Sequence, residues 1–205
     1  MKAKCLVMGF LLLLALVGIK ETEAYIIDFE SLSDSEVVTN QFSGFGVTFS
    51  NATALTSGIS LNEFEFPPYS GDNVVYDDGG EMIISFTIPV LDAGGYFTYM
   101  VPLTLFFFDA LDNPLGTVNS AFTSNMGISG DAGSLPNEFL NFTSASGISK
   151  MVVAGDIAGG SFTLDDLTAT PLSVPVPEPG IMMLFGICGM IGMAGYGLSF
   201  IKRKI

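Results

Sequence analysis

From Ile181 to Ile201 the chain runs for 21 residues without a charged side chain, and Lys202, Arg203 and Lys204 follow at once. A helix rises 1.5 Å per residue, so a run of this length just crosses a hydrocarbon layer of about 30 Å. Six small residues (Gly186, Gly189, Gly192, Ala194, Gly195 and Gly197) lie within it. Glycine is costly inside a soluble helix and common in membrane helices. A buried core helix is the alternative, and the length, the glycines and the cationic stop argue against it. Clustered positive charge beside a span is retained on the cytoplasmic side. The tail therefore reads as a transmembrane helix over 181–205 with its basic end in the cytoplasm.

A proline-rich break precedes the span: Pro175-Val176-Pro177-Glu178-Pro179-Gly180. Taken together, Pro177-Glu178-Pro179, the apolar run and the terminal Lys202-Arg203-Lys204 closely resemble the PEP-CTERM sorting signal of Gram-negative bacteria. The resemblance covers residues 174–205. It implies that exosortase, a membrane transpeptidase-like enzyme, recognises the tail through Pro177, Glu178, Pro179 and the basic cluster. The span departs from the family habit in being rich in Met and Ile.

The other terminus agrees with export. Met1-Lys2-Ala3-Lys4 is a short basic region, Cys5 to Ile19 is apolar, and Lys20 to Ala24 is polar and ends in a small residue. This is the pattern of a signal peptide over 1–24, cleaved after Ala24, and fifteen apolar residues are too few for an ordinary span. The expected partners are the Sec translocon, signal peptidase, the inner membrane and exosortase. The protein is expected first at the inner membrane, then in the envelope or outside the cell after processing.

Between the two ends lies a segment over 25–171, followed by a linker over 172–180. Its eighteen Asp and Glu stand against the single Lys150, a net charge of −17, with no Arg, His or Cys. That charge repels nucleic acid and other polyanions. Divalent cations and neutral glycans, including an exopolysaccharide matrix, are the compatible partners. Serine–histidine and cysteine–histidine catalysis, histidine zinc sites and disulfides are all excluded by composition.

Short runs of β-branched and aromatic residues, broken by Gly, Asn, Asp, Ser and Pro, predict an all-β fold. Strands are expected over 25–30, 46–49, 74–76, 82–88, 95–100, 103–109, 115–120, 139–142, 148–154 and 162–169. Asp112-Asn113-Pro114 is a turn between two of them. Two antiparallel sheets follow, a β-sandwich or jelly roll. Phe106-Phe107-Phe108 points aromatic rings to both faces of one strand, which predicts burial on both sides. Lys150 is expected on a solvated edge.

Three short elements are similar to recurring parts of PEP-CTERM cargo domains: Ile27-Asp28-Phe29-Glu30, Asn40 to Ser50, and Gly160 to Leu167. The resemblance implies a jelly-roll, carbohydrate-binding-like sandwich with its first and last strands side by side. If those strands pair, Asp28, Glu30, Asp165 and Asp166 could converge as hard oxygen ligands for a structural Ca²⁺. Asp72, Asp77, Asp78 and Glu81 form a second acidic stretch, which lacks an EF-hand register and reads as a solvated turn. Glu63, Glu65 and Glu81 are the acids available for a carboxylate-pair glycosidase, without the strand triplet of acids or the Trp of such sandwiches. The expected function is a non-enzymatic, exosortase-sorted protein with a structural or adhesive role in envelope or biofilm matrix. The alternative is a glycan-binding module using Tyr69, Tyr76, Tyr96 and Tyr99.

Overall fold

The computed structural model describes residues 23–172. Apart from Glu23, Ala24 and Leu172, the expected signal peptide, linker and transmembrane helix lie outside those residues, and so do Pro177, Glu178, Pro179, Lys202, Arg203 and Lys204. Ala24, the expected cleavage position, is exposed just ahead of the first strand.

Nine strands and one short 3-10 turn (Ser43–Phe45) make up the described chain: β1 Tyr25–Ile27, β2 Val47–Ser50, β3 Ala52–Thr56, β4 Asn73–Asp77, β5 Met82–Tyr99, β6 Thr104–Phe108, β7 Pro114–Asn119, β8 Glu138–Ala154 and β9 Phe162–Pro171. Every pairing between them is antiparallel. The all-β expectation therefore holds. Among the described residues no helix is long and apolar enough to cross a membrane.

Two strands decide the architecture. β5 and β8 were each expected as two strands, and each is one, of 18 and 17 residues. The first part of β5 pairs with β2 and with the last part of β8, whose other neighbour is β6 and then β7. The second part of β5 pairs with β9 and with the first part of β8, and β9 leads on to β4 and β3. Both strands thus pass from one layer to the other. The crossing shows in the ladder as register shifts between Ser85 and Val90 and between Val90 and Asp92. Bulges supply the bend that such a corner requires.

Alternation fills the space between the layers. In β6, Leu105 and Phe107 are buried while Thr104, Phe106 and Phe108 are half exposed. In β1 and beyond, Ile27 and Phe29 are buried while Ile26, Asp28 and Glu30 are exposed. Residues of both layers join one apolar cluster, with Phe49, Ile84, Phe107 and Met151 from one and Phe97, Leu140, Phe162 and Leu164 from the other. Each aromatic side chain buries on the order of 150–250 Å², so phenylalanine carries a core that has no Trp.

Several details depart from expectation. β3 was not foreseen; Asn51 takes φ +55° just ahead of it, between β2, which pairs with β5, and β3, which pairs with β4. β1 ends at Ile27, three residues early, since Phe29 adopts φ +61°. Phe106 and Phe108 lie on an outer face that is only partly covered, with the Lys150 ammonium 4.7 Å from the Phe108 ring centre. Lys150 itself is on β8 between β5 and β6, not on an edge, and pairs with Asp112 of the β6–β7 turn.

Candidate functional site

The closing strand β9 carries the adjacent acids Asp165 and Asp166, and they organise the most distinctive surface of the domain. Asp165 is 1% exposed. A buried carboxylate needs donors, and this one has three backbone amides. Oδ2 accepts from Tyr69 N at 2.7 Å and Ser70 N at 2.9 Å, and Oδ1 accepts from Asp166 N at 2.7 Å. Burial still outweighs these bonds and lifts its pKa to about 6, with the neighbouring Asp166 charge adding to the rise. Asp166 occupies the left-handed region at φ +44°, where β9 slips register against β5, and its carboxylate accepts the Ser70 hydroxyl at 2.9 Å.

The two acids therefore pin the loop at Tyr69-Ser70 onto the sheet. The consequence is aromatic. Tyr69 lies flat on Tyr96, with ring centres 3.4 Å apart and planes 8° from parallel. Tyr96 of β5 and Phe139 of β8 are direct cross-strand partners, their ring centres 5.0 Å apart. Contact with Tyr69 comes first among the causes that raise the Tyr96 phenol above its usual range, followed by burial and nearby charge. Tyr69 is 49% and Phe139 46% exposed, so the three rings form an open ledge with the Asp166 carboxylate at its rim. Phe139 was missed in the sequence. Next to the equally apolar Leu140, nothing in the sequence says which of the two points outward; in the structure Leu140 is buried and Phe139 exposed.

The other two tyrosines go elsewhere. Tyr99 is fully buried and donates its hydroxyl to Glu138, and burial raises its pKa to about 12. Tyr76 lines a separate cavity of about 200 Å³ with Leu61, Phe66 and Phe162.

Where the first and last strands meet, the expected side-by-side placement holds: Tyr25 pairs with Ala169 and Ile27 with Leu167. The four acids proposed for calcium are distributed over separate tasks. Glu30 Oε1 accepts from Asp72 N at 3.0 Å and Asn73 N at 2.8 Å, and Asp28 Oδ1 accepts from Glu30 N at 3.2 Å. Among the described residues no three acidic side chains gather as a metal-holding group. Backbone amides, not a convergent carboxylate cage, surround Asp165.

The second acidic stretch corrects a simple reading. Asp72, Asp78 and Glu81 are exposed, but Asp77 is fully buried. Its Oδ1 accepts from Ser161 N at 2.7 Å and Phe162 N at 3.0 Å, and its Oδ2 accepts the Ser161 hydroxyl at 2.7 Å. Burial pushes its pKa up. Asp77 thus ties β4 to the start of β9. Of the acids considered for glycoside hydrolysis, Glu65 is engaged by the amides of Ile128 and Ser129, which hold its carboxyl below the usual range. Glu81 is exposed and Glu63 half-buried.

Beyond the domain, residues 175–203 match the PEP-CTERM protein-sorting motif. The chain bears a PEP-CTERM sorting tail. That tail begins three residues after Leu172, the last described residue. No curated protein matches the chain in sequence. Among solved structures, the K2 cleaved adhesin domain of Lys-gingipain is similar with a TM-score of 0.44 and 13% identity, over 72% of this chain and 99% of that one. A DUF4465-family protein from Bacteroides caccae gives 0.42 and 11%, over 76% and 96%. CBM35 from Paenibacillus barcinonensis gives 0.34 and 14%, over 72% and 98%. Likenesses this distant carry no functional argument, and the fold rests on the strand pairing itself.

Proposed function

We propose that this is an exported, non-enzymatic envelope protein, held in the inner membrane by its tail and processed there by exosortase. The observation that carries the reading is the PEP-CTERM match over 175–203, set directly behind a complete β domain. The domain then serves a structural or adhesive role in the envelope or in an exopolysaccharide matrix. Its composition supports a role without acid–base catalysis by His or nucleophilic Cys, since residues 25–171 contain neither. Export through the Sec route and removal of residues 1–24 precede the tail step. The test is made in the native host, on Glu178→Ala and on deletion of Lys202 to Lys204. Both should leave the β domain folded, with unprocessed chain accumulating in the membrane fraction. Wild-type localisation and an unchanged C-terminus by mass spectrometry, in both variants, would overturn the reading.

A second reading attaches to the aromatic ledge. Aromatic faces bind the apolar faces of sugar rings, and an acid at the rim can accept sugar hydroxyls. Tyr69, Tyr96, Phe139 and Asp166 supply those groups, and the net charge of −17 selects neutral glycans over anionic ones. Calcium, if bound, would act as a structural ion near Asp28, Glu30, Asp165 and Asp166. Residues 25–172 on a glycan array, with and without chelator, address both points. Tyr69→Ala should abolish retention while the domain stays folded; retention that survives it places binding elsewhere. Retention that is unaffected by chelator removes calcium from the account.

A further inference from the structure

We infer that the end of the sandwich where the chain enters and leaves is a lipid-facing surface, resting on the membrane while the protein is anchored. The inference depends on the lipid-anchored reading of the tail. Its first support is where the chain ends lie. β1 pairs with the end of β9, so the start of the exported segment sits beside Ala169. Leu172 N donates to Pro89 O at 2.8 Å, so the chain departs against the corner at which β5 crosses between layers. Entry, exit and crossing share one end.

That end is apolar and contiguous. Phe45 is 52% and Ile88 58% exposed. The rings of Tyr25 and Phe45 are 5.4 Å apart. Thr87 N donates to Gly46 O at 2.7 Å, which places Phe45 beside Ile88. Pro89 and Leu172 close over Gly147, where a Cβ would lie 3.0 Å from one and 3.2 Å from the other. Single exposed apolar residues are ordinary; a joined patch is informative.

Charge supports the same assignment. The stretches at this end, 42–48, 85–91, 143–149 and 168–172, carry no charged side chain, in a domain of net charge −17. The flanking acids include Glu23, Asp92 and Glu36, which accepts from Gln41 Nε2 at 2.8 Å, and the β6–β7 turn adds Asp109 and Asp112, the latter ion-paired with Lys150. A strongly acidic domain is repelled by anionic headgroups, and this is the face it can present to them. Only the eight residues 173–180 separate Leu172 from Ile181. At 3.3–3.6 Å per residue they reach about 30 Å when fully extended. Tethering at that range raises the effective concentration of lipid, so a modest apolar area suffices for contact.

Because the chain has no Trp, a single introduced one reports without background. Full-length Ile88→Trp and, as the control, Ile157→Trp are reconstituted into phosphatidylcholine vesicles with brominated acyl chains. Ile157 is 94% exposed in the β8–β9 connection, beside the Asp77 clamp. Ile88→Trp should lose most of its emission and shift to the blue, with Ile157→Trp unchanged. If the chain floats with the vesicles and Ile88→Trp is unquenched, the docking is overturned and the anchor stands. A blue shift without quenching assigns the patch to a second copy of the chain and equally overturns it. A chain that does not float overturns both the docking and the anchored reading.

Discussion

Asp165 is a buried acid whose folded pKa, about 6, lies above its ordinary value of 3.8. The folded state therefore binds this proton more tightly than the unfolded chain does. Stability from that group is fully present below pH 3.8 and is lost as pH rises through 6. Asp77, shifted in the same direction by burial, adds with the same sign. Asp34, Glu36, Glu65 and Asp109 are shifted downward, so they titrate below this range and do not oppose it. Denaturant unfolding of residues 25–172 should show stability rising from pH 7.5 to 5, by on the order of 1 kcal/mol from Asp165. Asp165→Asn removes the ionisation, and its profile should be flatter. An identical pH slope in the variant would show that Asp165 is not the responsible group.

The pair Asp165-Asp166 was visible in the sequence as something to explain, and a shared cation was one way to stabilise it. Which partners it has was not visible. Tyr69 and Ser70 lie about a hundred positions away, and only closure of the loop onto β9 brings their amides to the carboxylate. Phe29 is similar. Its burial follows from alternation, but its left-handed backbone does not. The cost of that conformation for a bulky side chain, roughly 1–2 kcal/mol, is offset by edge-on contacts with Phe42 and Phe49 at 5.6 and 5.9 Å.

Among the elements, β5 and β8 hold the layers together, and Gly94 of β5 lies tight against the β8 backbone. A Cβ there would collide with the Leu140 carbonyl oxygen and lie 2.7 Å from Asn141 Cα. The obstacles are backbone atoms, which cannot rotate away. Gly94→Ala should therefore destabilise the domain by about 1–3 kcal/mol, the usual cost of overpacking, measured as a lower denaturant midpoint. A midpoint equal to wild type would mean that the strands separate freely at this pair. Most strand positions were legible from two-residue alternation and turn residues. Continuity of β5 and β8 was not, because Pro89 and Gly147 read locally as breaks. In the fold they are corners. The remaining ladder on both sides of each corner, supplied by distant strands, makes one bent strand of what local propensity divides in two.

At the scale of the whole molecule, eighteen acids and one lysine over 25–171 make self-repulsion a standing cost of the compact state. Salt screens it, with a Debye length near 10 Å at 0.1 M. The melting temperature of residues 25–172 should rise as NaCl goes from low to physiological strength. A flat response would mean that the acids are already neutralised by their donors or spread too far apart to interact. The sequence by itself determined the sign of that charge, the absence of histidine and cysteine from 25–171, the all-β class and the sorting tail. These depend on residue type and short spacing, which a sequence states directly. The aromatic ledge, the buried roles of Asp77 and Asp165, and the apolar end shared by both chain exits were decided by tertiary structure alone. Each is a meeting of residues far apart in the chain, and such meetings are fixed by strand register and layer crossing, which no local pattern encodes.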